Sequence, residues 1–559
     1  MRALLSLTLV FFAFVFSSIS QETVVLKAMK SEIARTMAGM SSEKNPPYFL
    51  SYSITETKSV VLSASFGKIE ASTNTKNRIL DIDLRVGNYK TDNSHTIRGS
   101  RFEFGGRGRS IEIPFSEDEQ SLKQILWQAT DQHFKKAVEK YGKVLTNMAV
   151  KVKDEDTSAD FSRQNAEKYI EPIPSFVIDT NAWKERLRRL SGLYSSDPAI
   201  YSGDVYFQAD IITKYFVSSE GAEIQQSETN VRCFTNGMTK ASDGMTLPLY
   251  RSYFGFTTEG LPSETEMSND IRKLIEILGQ LRNAPLAETF TGPAILSGEA
   301  SGVFFHEIFG HRVEGHRQKD PNSSQTFKSF LNKKILPDFI DVVFDPTQKK
   351  LGNKDIVGYF KYDDEGVKAE KVIAVKDGVF KNFLMSRSPI ENFPVSNGHG
   401  RRQAGLPPVA RQSNLMVLAK NTIPFDTLKQ RLREECKKQK KEYGLYFVEI
   451  SGGFTFTGRT VPNAFNVQPL LVYKVFADGR PDEIVRGVDL IGTPLTTFNN
   501  IVVAANDIGI FNGVCGAESG GVPVSASSPS LLVSTIEVQK KQKSQAKPPL
   551  LKNPTTKSE

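Results

Sequence analysis

The sequence predicts an α+β protein in which two N-terminal α+β units precede a larger, mainly antiparallel β domain. Three observations support this fold class. Amphipathic helical segments alternate with strand-like segments over the first half of the 559 residues. Hydrophobic residues make up 39% of the chain, which is enough to build several cores. From residue 289 onward, glycine-rich turns and short β-branched strands dominate, and one histidine-containing helix interrupts them.

Residues 1–20 have the pattern of a signal peptide. Arg2 precedes an apolar run from Ala3 to Phe16, and small residues follow it. A membrane anchor is the alternative, but the run is well short of the roughly 20 apolar residues that span a bilayer. We therefore expect an exported protein, periplasmic or secreted, with no transmembrane segment after the signal peptide is removed.

The first α+β unit is predicted over residues 21–150. A helix is expected over residues 22–42, and alternating strand segments over residues 48–113. A second amphipathic helix follows, with Ser116 and Glu119 at capping-box spacing; we expect Gly142 to end it.

The second α+β unit is predicted over residues 151–288. Its polar start, residues 151–172, is expected to be a linker. A helix is predicted over residues 181–193 and another after Pro262, with strands between them. Cys233 lies in one of these strands and is interpreted as a core residue.

The β-rich domain is predicted over residues 289–537, and residues 538–559 form a basic tail expected to be disordered. The formal net charge is +8, and the last 23 residues hold six lysines against two glutamates, which is half of the excess. The net positive charge therefore does not indicate a nucleic-acid-binding surface, and no nucleic-acid partner is expected.

The segment "GVFFHEIFGHRVEGHRQ", residues 302–318, contains three of the six histidines. His306 and His311 are five residues apart, which on a regular helix places them about 140° from each other. A π-type turn would bring both rings to one face, and Gly310 would ease that distortion. Two such imidazoles suit a zinc ion, and Glu307 suits a general base that takes a proton from water.

Two alternatives accompany this interpretation. The histidines could be ordinary polar residues of an amphipathic helix. His316 could be the third ligand, but Gly315 is expected to close the helix and turn it away. Cys515 is preferred as third ligand, because it is a thiol in the glycine-lined loop "NGVCGAESGG". The three cysteines are far apart and odd in number, which is not a disulfide framework.

The C-terminal half resembles the TldD/PmbA family of zinc metallopeptidases, in its metal-bearing TldD type. The segments that carry the resemblance are "FTGPAILSGEASGVFFHEIFGHRVEG", "DDEGVKAEKVIAVKDGVFKNFLMSR", "SNGHGRRQAGLPPVARQSNLMVL", "GLYFVEISGGFTF" and "AANDIGIFNGVCGAESGGVPVSASSPSLLVS". The resemblance implies that His306, His311 and Cys515 bind one Zn²⁺ per subunit, with water as the fourth ligand. It also implies that Glu307 is catalytic.

The resemblance further implies hydrolysis of peptide bonds in short or unstructured polypeptides. Main-chain strand addition at a sheet edge would hold such substrates. Family members work as dimers, so a homodimer or a heterodimer with a relative that lacks the motif is expected. The signal peptide sets this chain apart from cytosolic members. A family-like block contains four residues that either line the substrate cleft or anchor loops: His399, Arg402, Arg411 and Asn414.

The sequence is also compatible with a different class of function. The chain could be a non-catalytic binding or assembly subunit of a peptidase complex, with a structural metal or none. The intact Glu307 argues against this alternative, because a purely structural metal site has no use for that carboxylate.

Overall fold

The computed structural model describes residues 22–97, 110–149, 156–175, 177–320, 322–323, 325–455, 465–492 and 494–541. The predicted signal peptide and residues 542–559 of the predicted tail lie outside these residues. Residues 538–540, which were assigned to the tail, are instead the end of the last strand, where Lys540 pairs with Val488. Within the described residues, no helix combines the length and apolar character needed to cross a membrane.

The α-helices of the described residues are α1 (Val24–Gly39), α2 (Glu119–Ala149), α3 (Thr180–Gly192), α4 (Glu264–Asn283), α5 (Gly298–Ile308), α6 (His316–Lys319), α7 (Phe425–Lys438) and α8 (Pro494–Asn499). Short 3₁₀ helices cover Leu193–Ser196, Thr258–Gly260, Gly310–Val313 and Lys328–Phe330.

The strands of the N-terminal half are β1 (Pro47–Ser65), β2 (Lys68–Val86), β3 (Ile111–Glu112), β4 (Lys168–Ile170), β5 (Ser202–Ser218), β6 (Glu223–Lys240) and β7 (Thr246–Gly255). Those of the C-terminal half are β8 (Phe290–Leu296), β9 (Ile340–Phe344), β10 (Lys350–Leu351), β11 (Lys354–Asp355), β12 (Val372–Lys376), β13 (Val379–Phe380), β14 (Gly400–Arg401), β15 (Val409–Ala410), β16 (Asn414–Ala419), β17 (Tyr443–Thr455), β18 (Phe465–Phe476), β19 (Glu483–Val485), β20 (Val488–Gly492), β21 (Ile501–Ala504), β22 (Gly509–Ala517), β23 (Gly520–Ser528) and β24 (Leu531–Lys540).

Helix ends follow local capping chemistry. Helix α4 begins after Ser263, whose hydroxyl accepts from the Glu266 amide while the Glu266 carboxylate accepts from the Ser263 amide. For α2 the predicted capping box is wrong, because the amide of Ser121 donates to Asp118. The predicted end at Gly142 is also wrong, since α2 continues to Ala149.

The strands of the two predicted N-terminal units share one sheet of the described residues, in the order β3-β2-β1-β5-β6-β4, with β7 also paired to β6. The join is the antiparallel pairing of β1 with β5, from Ser51 opposite Ser218 to Ser65 opposite Asp204. Helices α1 and α2 pack with β1 and β2, and α3 and α4 pack with β5, β6 and β7.

The predicted linker is packed against the rest of the protein, so this prediction is wrong for its described part. Phe161 is 2% exposed, and its ring lies between the guanidinium groups of Arg85 and Arg387, 3.6 and 3.9 Å from the ring centre. Residues 168–170 form β4, which pairs with β6. The polar composition of this segment gave no indication that the ring of Phe161 would hold it against the rest of the protein.

The C-terminal half contains two larger sheets of mainly antiparallel strands, as predicted. One has the order β13-β12-β9-β16-β23-β22, and the other the order β17-β8-β24-β20-β18-β19. The parallel pairs include β16 with β23 and β17 with β8. Helix α5 packs against β17 of one sheet and β23 of the other, and nearly all of its residues are buried. The histidine helix therefore lies in the core between two sheets.

Candidate metal centre

Helix α5 is seated closely against the β22–β23 hairpin. Ser297 caps its start, since its hydroxyl accepts from the Ala300 amide at 3.1 Å. A Cβ atom on Gly298 would lie 2.3 Å from the backbone nitrogen of Gly509. These glycines permit a backbone approach that a side chain would block. The approach brings the end of α5 towards the strand that carries Cys515.

The predicted π-type turn between His306 and His311 is not observed. Helix α5 ends at Ile308, Phe309 leaves helical geometry with φ −112° and ψ −55°, and a 3₁₀ turn follows over Gly310–Val313. Gly310 has a steric role instead, because a Cβ there would lie 1.9 Å from Oε1 of Gln412. The change of helix type redirects the chain, which brings the two rings to one place.

Donor atoms of His306, His311 and Cys515 all lie within 4.8 Å of one another. The two ring centres are 5.0 Å apart, and Sγ of Cys515 is 3.3 Å from Nε2 of His311. A nitrogen and a sulfur bound tetrahedrally to one zinc ion stand about 3.5 Å apart. The three donors are thus spaced for a common ion.

The ionisable groups at the centre shift one another's pKa values. Burial by itself would raise the pKa of the Cys515 thiol, but His311 and His306 outweigh burial and hold that pKa well below its usual range. Burial opposes a charge on His311, yet Cys515 and Glu314 hold its pKa well above the usual range. Burial also opposes the charge of Glu314, but His311 and Arg317 lower its pKa to about 2. The cluster therefore favours a thiolate, which is the form that binds a metal.

The residues present fit a zinc ion. Nδ1 of His306 is buried and has no hydrogen-bond partner among the described residues, a costly state that a bound metal ion would relieve. Imidazole nitrogen and thiolate are both zinc ligands, three protein ligands leave a fourth position open as in catalytic zinc sites, and hard cations such as magnesium prefer oxygen. Nδ1 of His311 lies 3.3 Å from the Glu314 carboxylate, which leaves Nε2 directed towards Cys515.

A cavity of about 330 Å³ opens beside these donors. His306, Glu307, His311 and Cys515 all line it. The Glu307 side chain is largely buried, while its carbonyl accepts from Arg312 at 3.0 Å. Glu307 therefore lines the same space as the three donor residues, in a site with room for water and part of a substrate.

His316 does not join the donor group. It begins the short helix α6, and Nε2 pairs with the carboxylate of Glu518. Arg317 donates to Glu314 at 2.8 Å and to Glu518 at 3.0 Å. Arg317 and Glu518 line the cavity, and His316 pairs with Glu518 without lining it. The predicted helix end at Gly315 is wrong, since α5 ends at Ile308 and Gly315 precedes α6.

The four residues of the family-like block do not line this cavity. His399 is 0% exposed, and Nε2 contacts the Ser413 hydroxyl at 3.1 Å. Arg402 forms an ion pair with Asp81 at 3.0 Å. Asn414 donates to the carbonyls of Asp345 and Gln348. Arg411 is also buried and donates to the carbonyl of Cys515 at 2.6 Å. These groups anchor loops and neighbouring elements.

The sequence did not single out Glu314 or Gln412. Glu314 lies three residues after His311, a spacing at which side chains meet on a helical turn, so this signal was available. Gln412 donates to the carbonyl of His306 at 3.2 Å. No local sequence pattern predicts that contact, because 106 residues separate the two positions.

Comparison with known proteins places these observations in context. Residues 289–540 match the PmbA/TldA metallopeptidase C-terminal domain. A metalloprotease of Archaeoglobus fulgidus is 33% identical over 260 residues, which cover 46% of this chain and 56% of the relative. A zinc metalloprotease TldD homolog of Saccharolobus solfataricus is 23% identical over 61% of this chain and 72% of its own. The alignment with the first relative thus spans little more than half of its length.

The similarity in fold to solved structures extends beyond residues 289–540. The crystal structure of TldE from Thermococcus kodakarensis superimposes with a TM-score of 0.57 at 12% sequence identity. The superposition covers 92% of this chain and 100% of TldE. At this identity the likeness concerns the fold alone, and it includes the N-terminal half.

Proposed function

We propose that the chain is a zinc-dependent peptidase, and the match of residues 289–540 to the PmbA/TldA metallopeptidase C-terminal domain supports this proposal. The observation that carries the proposal is the convergence of two imidazoles, a thiol and Glu307 on one cavity. The convergence joins residues of α5 and the following turn to a residue of β22.

His306, His311 and Cys515 would hold one zinc ion, which supplies Lewis acidity for the scissile carbonyl and for water. Glu307 takes a proton from the attacking water and later returns it to the leaving amine. Burial of Glu307 in the cavity wall keeps this carboxylate close to the reacting atoms. Glu314 holds the ring of His311 through Nδ1.

We propose that short or unstructured polypeptides are the substrates, held by strand addition to β22. This strand is at the edge of its sheet, where it pairs with β23. Val514 lies opposite Pro523, which has no N–H and whose carbonyl accepts from Arg401. Gly516 lies opposite Gly521, whose amide donates to Gln403.

These two pairs therefore do not exchange ladder hydrogen bonds, so the main-chain groups of Val514 and Gly516 point away from β23. They flank Cys515 and line the cavity. An extended peptide added at this edge would make main-chain contacts beside the metal donors, with little dependence on its side chains.

The proposal includes a dimer, with a second copy or with a related chain that lacks the histidine motif. The likeness in fold to TldE supports it. The proposal that the protein is exported rests on the sequence of residues 1–20.

The test is the Glu307→Gln variant, examined with purified full-length protein. It should retain about one equivalent of zinc and lose cleavage of an unstructured peptide by about 10²–10⁴-fold. Glu299→Gln is the matched control, since Glu299 is at the other end of the same helix and does not line the cavity. Equal cleavage by Glu307→Gln and wild type would refute the proposal.

The alternative, a non-catalytic binding subunit, makes a different prediction. Metal removal would then change the thermal stability, while no peptide would be cut by wild type in any metal-loaded state. The position of Glu307 on the wall of the cavity favours the peptidase.

A further inference from the structure

We propose that Arg411 is a positioning residue that fixes the distance between the donor atoms of Cys515 and His311. This inference rests on the proposed function, because it assigns a role at the same metal centre. Arg411 follows β15 and its side chain is 0% exposed. It reaches neither the cavity nor solvent, so a direct role in holding substrate is excluded by its position.

One side of the guanidinium holds the strand that carries the thiol. Nη2 of Arg411 donates to the carbonyl oxygen of Cys515 at 2.6 Å. Nη1 donates to the Ser519 hydroxyl at 2.7 Å and to the Gly520 carbonyl at 2.9 Å. The three acceptors belong to the end of the β22–β23 hairpin. The backbone of Cys515 is thereby fixed by a charged donor directly behind the sulfur-bearing residue.

The other side of the guanidinium faces the histidine segment. Nε of Arg411 forms an ion pair with Oε1 of Glu314 at 3.5 Å, and both side chains are fully buried. The two atoms are not aligned as a hydrogen bond, so charge attraction carries this contact. Oε2 of Glu314 lies 3.3 Å from Nδ1 of His311. One planar group therefore contacts both the cysteine strand and the carboxylate that orients the histidine ring.

The shape of arginine matters for this role. A guanidinium presents several N–H donors in one rigid plane, so two partners on different edges are held at a fixed separation. A lysine ammonium is a point charge on a flexible stem and can satisfy only part of this arrangement. The neighbouring residue adds a second contact, since Gln412 donates to the carbonyl of His306.

The experiment compares Arg411→Lys with wild type in two measurements. In the first, the metal-free protein is titrated with Co²⁺, and the thiolate-to-cobalt absorption reports occupancy. Loss of a residue that orients ligands typically weakens metal binding by about 10–100-fold, and this increase in Kd is expected. Arg402→Lys is the matched control, because that arginine pairs with Asp81 and touches no donor residue.

In the second measurement, the metal-free protein is alkylated with iodoacetamide and the modified cysteines are located by mass spectrometry. Cys515 should react faster in Arg411→Lys than in wild type. Cys233 and Cys436 are 0% exposed and serve as internal reporters of general loosening. Their reactivity should not change.

An unchanged Kd for Co²⁺, an equal loss in Arg402→Lys, or a parallel rise in all three cysteines would overturn the inference. If Arg411→Lys does not fold, Glu314→Gln tests the other contact of the guanidinium, and wild-type affinity for Co²⁺ in that variant would overturn it too. The proposed function fails separately, if wild type binds no metal or Glu307→Gln cleaves normally. The alkylation comparison still decides the role of Arg411 in that event.

Discussion

Sγ of Cys515 lies 3.3 Å from Nε2 of His311, although 204 residues separate them in the sequence. The contact forms where the turn after α5 meets strand β22, which is part of a different sheet from β17 on the other side of the helix. A donor set divided in this way exists only after α5 has packed against the sheet that contains β22. Metal binding should therefore be coupled to the folded state.

Replacement of Cys515 by alanine should abolish tight zinc binding. The loss should exceed the 10–100-fold that is typical for residues outside the ligand set, because a charged donor is removed. Metal content after dialysis against a dilute chelator is the measurement. Cys436→Ala is the control, since Cys436 lies in α7 and is buried in a core cluster with Ile295 and Val475, away from the donors. Full zinc content in Cys515→Ala would contradict the ligand assignment.

Zinc should stabilise the wild-type protein. A ligand that binds only the folded state at 100 times its Kd adds about 2.7 kcal/mol to the free energy of unfolding. Thermal unfolding with zinc and after chelation should show this difference. The difference should disappear in Cys515→Ala, and a zinc-dependent shift of equal size in that variant would place the ion elsewhere.

Gly310→Ala should destabilise the protein and weaken metal binding. The new Cβ would meet Oε1 of Gln412 at 1.9 Å, and an overpacked site of this kind costs about 1–3 kcal/mol. Displacement of Gln412 would also free the carbonyl of His306. The matched control is Gly279→Ala in α4, where a Cβ meets no atom within 4 Å.

Urea unfolding and a Co²⁺ titration of both glycine variants give the measurement. Gly279→Ala should be unchanged or more stable by up to about 1 kcal/mol, as expected in a helix interior. Equal behaviour of the two variants would show that the space beside Gly310 is not filled.

Acid should destabilise the protein in part through His399. Burial, with a contribution from Arg401, lowers the pKa of His399 to about 3. Between pH 6.5 and 3 the unfolded chain binds a proton at this position and the folded chain does not. The contribution to stability is therefore complete above pH 6.5 and is lost as the pH falls towards 3.

From pH 6.5 to 5 this one group should remove about 1.6 kcal/mol of the free energy of unfolding. The measurement is urea unfolding of wild type and His399→Gln at both pH values. The variant should lose less stability between them. An identical loss would mean that His399 is not held neutral by its surroundings.

Substrate main-chain contacts can be tested on the peptide itself. Methylation of a backbone nitrogen that pairs with β22 removes one hydrogen bond, worth about 0.5–1.5 kcal/mol, so KM should rise by about 2–10-fold. A scan of single N-methyl positions along one cleaved peptide is the measurement. Strand addition predicts that KM rises when the N-methyl group is at every second position of the bound segment. A scan without any sensitive position would argue against binding at this edge.

Much of the secondary structure could be predicted from local chemistry. The start of α4 follows from Ser263 and Glu266, which satisfy each other's amides without help from the rest of the chain. The end of α2 could not be predicted from Gly142, because packing of the helix outweighs the small local cost of one glycine. The linker prediction was wrong for a similar reason, since Phe161 holds this segment in place only through its contacts with Arg85 and Arg387.

At the candidate site, the sequence pointed to His306, His311 and Cys515, and the structure places their donor atoms within 4.8 Å. Their role as ligands stays a prediction until metal is measured. The spacing of five predicted a distorted turn, but the predicted π type is wrong, since a 3₁₀ turn is observed. Gln412, between β15 and β16, occupies the space beside Gly310, and local sequence does not predict this contact. For the four residues of the family-like block the sequence left cleft-lining and loop-anchoring roles open, and none of them lines the cavity beside the donors.

The sequence by itself determined the kinds of donor, the carboxylate beside them and the order of helices and strands, since these depend on residue type and short-range periodicity. Tertiary structure alone decided that one sheet joins the two N-terminal units, that the turn after α5 is 3₁₀, and that Arg411 lies between the thiol strand and Glu314. Each of these depends on contacts between residues far apart in the chain. Such contacts leave no local pattern, because packing selects them only after the elements have formed.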